Sequence, residues 1–411
     1  MPAREDQRVN IQQSESFIDE ARWTGKAFLG GWRETAGGLA EVRDPATDAL
    51  VASIGIGGAV DIARAAAEAR RAQLAWAATP PAERAAILNR AADILDHNGD
   101  ELIGWIIRES GSIRPKAQIE IEHSCGFIRH AAAAAVEPNG IVLATMDPGR
   151  QNYARRVPHG VVGVGELAGK HLKKVQLELG GKNALIILDD ADLDVAASNA
   201  AWGAFLHQGQ ICMSTGLILV DEKRADAIAS RLAAKAGHLV AGDPSTGQVA
   251  LGPIISDAQV EKIQSIVDDA VAKGASLLAG GKANGRFYPA TVLSGVKPGM
   301  RAFEEEIFGP VACIAAFSDE EGAIALANSS EYGLAAGVIS ASVDRARSVG
   351  ERLEVGHLHI NDQTVNAGPH APFGGRRRSG NGSRVSGPAI WEEFTQWVWV
   401  SVKEQATPYP I

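Results

Sequence analysis

The pattern of apolar and polar positions divides the chain into a helical first part and an alternating second part. From about residue 60 to residue 102, apolar residues recur three and four positions apart, which predicts helices. Pro80 and Pro81 indicate where a second helix begins, and Gly99 and Asp100 indicate where it ends. Further along, short apolar runs alternate with helical stretches, as in a parallel α/β sheet. A short strand is predicted at 161–164 and a helix from Glu166. After them, the five predicted strands are 184–188, 218–220, 311–315, 335–339 and 357–360.

The last part of the chain has a different pattern. Residues 394–402 alternate as a strand does, which puts Trp397 and Trp399 on one face. An apolar strand near a chain end needs another strand to pair with or a surface to cover it. We therefore expect this strand to take part in association between subunits.

Composition excludes several classes of function. The 411 residues carry a net charge of −9, so no basic surface is expected to recruit nucleic acid. No run of about 18 apolar residues predicts a membrane span, and the polar first residues lack an apolar signal core. Cys125, Cys212 and Cys313 stand far apart, which argues against disulfides and against a metal site. These features predict a cytoplasmic protein of two or more domains.

Two residues carry the candidate chemistry. Cys212 lies in HQGQICMSTG, where Gly209 allows a close backbone approach. A helix-like segment at Cys212 is expected to favour its thiolate. Glu178 lies between Leu177 and Leu179, which should shield it from water as a general base requires. Alone, Cys212 is better explained as a small buried apolar residue, and Glu178 fits an exposed position at a strand edge about as well as a base. Together they predict a nucleophile and its base.

Four motifs occur in order around these residues. They are LELGGKN at 177–183, GQIC at 209–212, EEIFGPV at 305–311, and PFGG at 372–375 followed by SGNG. Together they resemble the aldehyde dehydrogenase superfamily, and within it the benzaldehyde and other aromatic aldehyde dehydrogenases. The similarity extends to the segment around Asp44, to the helical segment that begins near Trp76, and to RRVPHGVVGV at 155–164.

The resemblance implies a fold and an assembly. The fold is α/β, with a parallel-sheet catalytic domain, a truncated Rossmann-like nucleotide-binding domain and a small β oligomerisation element. The expected limits are 178–387 for the catalytic domain, 16–135 with 157–177 for the nucleotide-binding domain, and 136–156 with 388–411 for the oligomerisation element. A homodimer or homotetramer is expected.

The resemblance also implies a mechanism and its ligands. Cys212 would attack the carbonyl of a small aromatic aldehyde, and Glu178 would activate the water that hydrolyses the resulting thioester. Glu306, Phe308 and Leu179 would contact the nicotinamide end of NAD or NADP. Phe373 would form a wall of the substrate tunnel, although a turn in the protein core would explain it nearly as well. The sequence leaves open which aldehyde is oxidised and which of the two nucleotides is used.

The chain departs from the family pattern after Val164. Roughly 70 to 80 residues are absent there, about the length of two βα units. In the family, this stretch includes an Asn that helps to stabilise the oxyanion, a Lys that holds the adenosine ribose, and a Gly-Ser-Thr turn that binds the pyrophosphate. All three are missing from this chain. Gly163, Gly165 and Gly169 resemble a dinucleotide fingerprint, but the spacing has one residue too many.

Three functions therefore remain open on the sequence. The chain is an NAD(P)-dependent aldehyde dehydrogenase, a cofactor-independent thiol esterase, or a catalytically inactive relative. Smaller departures also affect the site, because His207 and Leu217 stand where the family usually has Asn and Arg. Cofactor binding separates the first function from the others. Ester hydrolysis that depends on Cys212 separates the second from the third.

Overall fold

The structure is a computed structural model that describes residues 17–145, 150–159, 174–406 and 408. The strand predicted at 161–164, the helix predicted from Glu166 and the glycine-rich turn at 163–169 lie outside the described residues. In the part of the chain that the structure describes, no helix is long and apolar enough to cross a membrane.

The first part of the chain is mainly helical, as predicted. Short elements come first, namely α1 Glu20–Trp23, β1 Ala27–Phe28, β2 Trp32–Arg33, β3 Leu39–Arg43 and β4 Leu50–Gly55. Four longer helices follow, namely α2 Ala59–Ala78, α3 Pro81–His97, α4 Gly99–Ser110 and α5 Arg114–Ala134. The break predicted at Gly99 and Asp100 is only one residue long, because α4 begins at Gly99. Gly111 then ends α4 in the left-handed conformation that suits glycine, at φ 68°.

A seven-stranded sheet forms the centre of the second part. Its strands lie in the order β14-β13-β7-β8-β11-β10-β9, and all neighbours are parallel except β9 and β10. Their limits are β7 Asn183–Ile187, β8 Thr215–Asp221, β9 Ser276–Ala279, β10 Thr291–Ser294, β11 Val311–Phe317, β13 Ala335–Ile339 and β14 His357–Ile360. The five predicted strands are confirmed, while β9 and β10 were not foreseen.

Helices cover both faces of this sheet. They are α6 Leu193–Phe205, α7 Ala225–Gly237, α8 Asp257–Ala272, α9 Arg301–Glu304, α10 Glu320–Asn328 and α11 Val343–Gly350. The short helix α12 Ile390–Phe394 lies instead next to the last strand, Thr395–Lys403. Alternate side chains of β7 point into two apolar clusters, with Leu185 and Ile187 on one side and Ile186 on the other. The carboxylate of Asp192 accepts the amides of Asp194 and Val195 and so begins α6.

The predicted C-terminal strand is also confirmed. It forms β16 Thr395–Lys403, which pairs along its full length with β6 Arg150–Pro158, and β6 pairs in turn with β5 Gly140–Leu143. Trp397 and Trp399 remain 44% and 66% exposed. The pairing partner of β16 thus lies in the same chain, and association between subunits stays a prediction.

The described residues of the predicted nucleotide-binding part contain no parallel strand pair. Between residues 17 and 135 the strands pair as the antiparallel hairpins β1–β2 and β3–β4, and residues 157–158 end β6, which pairs antiparallel with β16. Two further two-residue strands, β12 Tyr332–Gly333 and β15 Arg376–Arg377, pair with each other beside the main sheet. The sheet that positions the candidate chemistry is therefore the one built from residues after 182.

Truncating the centre of this sheet should destabilise the protein strongly. Ile186 is fully buried, and we expect Ile186→Ala to lower the free energy of unfolding by about 2 to 5 kcal/mol through lost burial and a cavity. Denaturant unfolding measures the change. Val343, at 49% exposure, is the matched site, and Val343→Ala should cost about 0.5 kcal/mol or less. Equal losses for both variants would contradict this account of the core.

Candidate active site

Cys212 lies in a turn that leads into a strand. It follows the short 3-10 segment Leu206–Gly209 and precedes β8, which begins at Thr215. The helix-like surroundings predicted for Cys212 are therefore wrong, and no helix dipole stabilises its thiolate. Burial, together with the nearby Glu178 carboxylate, instead raises the pKa of the thiol to about 12. The thiol needs a base to remove its proton.

Glu178 supplies a carboxylate within hydrogen-bonding distance of that thiol. It lies on an extended segment just before β7 and is half-buried, as its flanking leucines predicted. Its Oε1 accepts the amide of Gly180 at 3.2 Å. Gly180 has φ +72°, and a Cβ there would lie 2.3 Å from Glu306 Oε1. Glycine is required because the backbone must turn between these two carboxylates.

Glu306 approaches the same turn from a loop before β11. Its Oε1 accepts the amide of Gly181 at 3.0 Å, and burial raises the pKa of the carboxyl group. Phe308 follows in the left-handed conformation at φ 55°, which is uncommon for a residue with a bulky side chain. Gln259 Nε2 donates to the carbonyl oxygens of Ile307 and Phe308 at 2.8 and 3.0 Å, and these bonds fix the loop.

Asn183 was not foreseen as a functional residue, yet it holds the nucleophile turn. Its amide group donates to the carbonyl oxygens of Cys212 and Ser214 at 2.8 and 2.9 Å, and its Oδ1 accepts the amide of Ala335 at 3.0 Å. The residue is only 2% exposed. A polar residue that opens an otherwise apolar strand was the one signal in the sequence.

Lys182 is a second residue that the sequence did not single out. Its side chain is 4% exposed, and burial lowers the pKa of its ammonium group. It lines a small cavity of about 20 Å³ together with Ser214, Glu306 and Phe308. The structure thus brings the turn of Cys212 and the loop of Glu306 and Phe308 to one place.

Two predicted site residues lie less centrally. The side chain of Leu179 is 55% exposed, while its backbone amide donates to Ser379 O at 3.0 Å. Phe373 packs edge-to-face against His357, with ring centroids 4.7 Å apart. It lines a cavity of about 200 Å³ beside β14, and neither Cys212 nor Glu178 is among the residues of that cavity. Its role as a tunnel wall stays a prediction.

The site as a whole pairs a half-buried thiol with a carboxylate that can accept its proton, at the amino-terminal ends of the interior strands β7 and β8. This is the arrangement of an enzyme that forms a covalent intermediate on cysteine. The model of the aldehyde dehydrogenase family matches residues 32–165 and 163–400. The chain belongs to the aldehyde dehydrogenase family, and the prediction of the family is confirmed.

Several proteins similar to this chain have names that refer to aromatic aldehydes. The chain is 41% identical to a vanillin dehydrogenase of Amycolatopsis sp., over 96% of this chain and 100% of that protein. It is 39% identical to a benzaldehyde dehydrogenase [NAD(+)] of Pseudomonas putida, over 94% and 98%. The crystal structure of a salicylaldehyde dehydrogenase from Pseudomonas putida G7, complexed with salicylaldehyde, superposes with a TM-score of 0.88 at 29% identity. That superposition covers 93% of this chain and 98% of the other.

These alignments contain a large gap. The one with the vanillin dehydrogenase runs over 485 positions, whereas 96% of 411 residues is about 395, so about 90 positions have no residue here. The two segments that match the family meet at residues 163–165. This junction falls at the position where the sequence departs from the family pattern, outside the described residues.

Removing the Asn183 side chain should loosen the nucleophile turn. Asn183→Ala leaves two carbonyl oxygens and one amide without their buried partner, which should lower the free energy of unfolding by about 1 to 3 kcal/mol. Asn199 offers a matched control, because its amide bonds only Val195 O within its own helix. Denaturant unfolding of both variants measures the difference, and an equal effect would refute the role given to Asn183.

His207 should make the protein sensitive to acid. Burial lowers the pKa of its imidazole to about 3, below its ordinary value of 6.5. Below pH 6.5 the unfolded chain therefore binds a proton that the folded protein does not, and stability falls as the pH drops towards 3. By pH 5 this loss amounts to about 2 kcal/mol.

The His207→Asn variant tests this linkage. Asn does not titrate and adopts the left-handed backbone readily, so the variant should lose about 2 kcal/mol less than the original chain between pH 7 and pH 5. Unfolding by denaturant at both pH values gives the comparison. Parallel pH dependences for the two proteins would show that His207 does not titrate with the predicted shift.

Proposed function

We propose that the chain oxidises an aromatic aldehyde to its carboxylic acid, with NAD or NADP as the acceptor. The observation that carries this proposal is the contact between the Cys212 thiol and the Glu178 carboxylate. Membership of the aldehyde dehydrogenase family supplies the type of reaction. The names of the similar proteins, which are vanillin and benzaldehyde dehydrogenases, supply the substrate class.

The two side chains divide the chemistry between them. Glu178 accepts the thiol proton while the sulfur of Cys212 bonds to the carbonyl carbon, which gives a thiohemiacetal. A bound nicotinamide nucleotide would supply the acceptor for the hydride whose loss converts this adduct into a thioester. After Glu178 has released that first proton to solvent, it removes a proton from water and the hydroxide attacks the thioester carbon. The acid then leaves, and the proton held by Glu178 passes to the departing sulfur of Cys212 and restores the thiol.

The reactive end of the site fits a nicotinamide nucleotide. The half-buried Glu306 carboxylate can accept a hydrogen bond from a ribose hydroxyl. Phe308 lines the same small cavity as Glu306, and the apolar side chain of Leu179 is exposed. The start of α2 does not fit a phosphate, because the Asp61 carboxylate already accepts the amides of Ala36 and Gly58 there, at 2.7 and 3.0 Å. Cofactor binding is thus supported by Glu306, Phe308 and Leu179, the residues assigned to the nicotinamide end, and not by the start of α2.

A second candidate is a cofactor-independent thiol esterase. The gap of about 90 positions in the alignment favours it, because Cys212 and Glu178 are retained on a chain that lacks many of the family's residues. Hydrolysis of an activated ester needs only the attack of the thiol and the later activation of water. A catalytically inactive protein is the third outcome.

Nucleotide binding should be measured first, by calorimetry with NAD and NADP in parallel, followed by turnover of benzaldehyde and vanillin. The dehydrogenase predicts micromolar binding and formation of reduced nucleotide. Glu178→Gln should slow turnover by about 100- to 10,000-fold, because it removes the base. Cys212→Ala should abolish turnover, whereas Cys125→Ala, at a buried cysteine in α5, should leave it near the original value.

The outcomes separate the three functions. A folded protein that binds neither nucleotide contradicts the dehydrogenase. Hydrolysis of p-nitrophenyl acetate that disappears in Cys212→Ala would then identify a thiol esterase. Absence of both activities would leave a protein that retains the family's fold without its catalysis.

A further inference from the structure

Three consecutive residues just before the nucleophile adopt the left-handed backbone conformation. They are His207 at φ 50°, Gln208 at φ 56° and Gly209 at φ 67°. Glycine tolerates this conformation, but a Cβ makes it unfavourable in the other two residues. Two such residues in succession persist only where surrounding contacts hold them. The turn at 207–209 is therefore held by something other than its own backbone preference.

The Gln208 side chain provides that restraint. The residue is completely buried, and its Nε2 donates to Gly111 O and to Pro253 O, both at 3.1 Å. Gly111 ends α4 in the helical first part of the chain, and Pro253 lies in a loop of the sheet-containing part. One buried amide group thus joins the segment before the nucleophile to both parts of the molecule.

The surrounding contacts leave this turn little freedom. A Cβ on Gly209 would lie 2.2 Å from Gly309 O, so the turn packs directly against the loop that carries Phe308. Gln210 adds two bonds to the same region, because its Oε1 accepts the amide of Ile255 at 3.0 Å and its Nε2 donates to Pro253 O at 3.4 Å. A shift of the turn would therefore move Cys212 relative to its neighbours.

We propose that Gln208 is the positioning residue of the nucleophile: its buried amide holds residues 207–209 in the left-handed turn that sets the Cys212 thiol against the Glu178 carboxylate. The inference rests on the proposed function in so far as Cys212 is the nucleophile. Because Gln208 also binds the end of α4, the contact between α4 and the sheet-containing part would affect catalysis. The Gln208 side chain connects the position of Gly111 to that of Cys212.

Alkylation of Cys212 by iodoacetamide tests the geometry without any cofactor. Cys125 and Cys313 are 2% and 0% exposed, so the reagent reaches Cys212 first. In Gln208→Met the volume is kept and both hydrogen bonds are lost, so the turn should relax and the thiol should leave Glu178. The pKa of the thiol then falls, and alkylation at pH 8 should be at least about tenfold faster. Turnover that depends on Cys212 should fall at least tenfold, because the base is no longer in place.

Two controls show whether the effect passes through Glu178. Gln264→Met removes an amide that donates to Asp268 Oδ1 and Gly281 O, away from the nucleophile turn, and should leave alkylation unchanged. In a Glu178→Gln background, the Gln208→Met change should no longer accelerate alkylation beyond twofold. Gln208→Asn, which keeps an amide but is too short to reach both carbonyls, replaces Gln208→Met if that variant fails to fold.

The pH profile distinguishes positioning from general support of the fold. If Gln208 positions the thiol, the pH profile of alkylation in the Gln208 variant shifts to lower pH while its turnover falls. The proposal would be overturned if the alkylation profile did not shift and turnover did not change. It would also be overturned if the Gln208→Met change accelerated alkylation equally in the Glu178→Gln background. If the original chain shows neither dehydrogenase nor esterase activity, the proposed function fails, but the shift in the alkylation profile still decides the role of Gln208.

Discussion

The hydrogen bonds of one buried side chain, Asn183, join the nucleophile to the middle of the sheet. Its amide group binds the carbonyl oxygens of Cys212 and Ser214 at the start of β8, and its Oδ1 binds the amide of Ala335 at the start of β13. Buried polar groups need such partners, so the relative positions of three neighbouring strands and of the thiol are fixed together. The rest of the site is arranged around this point.

Close contacts at two glycines allow carboxylate groups to lie near the thiol. Gly180 and Gly209 have positive φ angles, and each lies where a Cβ would collide with a neighbouring loop. The carboxylates of Glu178 and Glu306 consequently sit near a sulfur atom that is itself removed from water. Burial and negative charge both raise the pKa of Cys212, so in the proposed reaction the thiol proton has to pass to Glu178 as the sulfur attacks the aldehyde.

The sheet-containing part does not depend on the residues that the chain lacks. Both apolar clusters that flank the sheet are built from residues 184 to 360, and the strands and helices that supply them are continuous in sequence. A core whose residues all come from one segment does not draw on residues that are missing from another part of the chain. This explains how Cys212, Glu178 and Glu306 remain assembled although about 90 aligned positions of a similar protein have no counterpart.

The sequence by itself determined the elements whose signals are local. Apolar runs predicted five parallel strands, and four motifs identified the family and gave Cys212 and Glu178 as the candidate catalytic pair. Only the tertiary structure decided that Cys212 precedes a strand, that its pKa is raised, and that Asn183 and Gln208 hold its turn. These features depend on contacts between residues 29 to 152 positions apart. Sequence periodicity reports which face of an element is apolar, whereas burial and distant hydrogen bonds exist only once the elements have packed together.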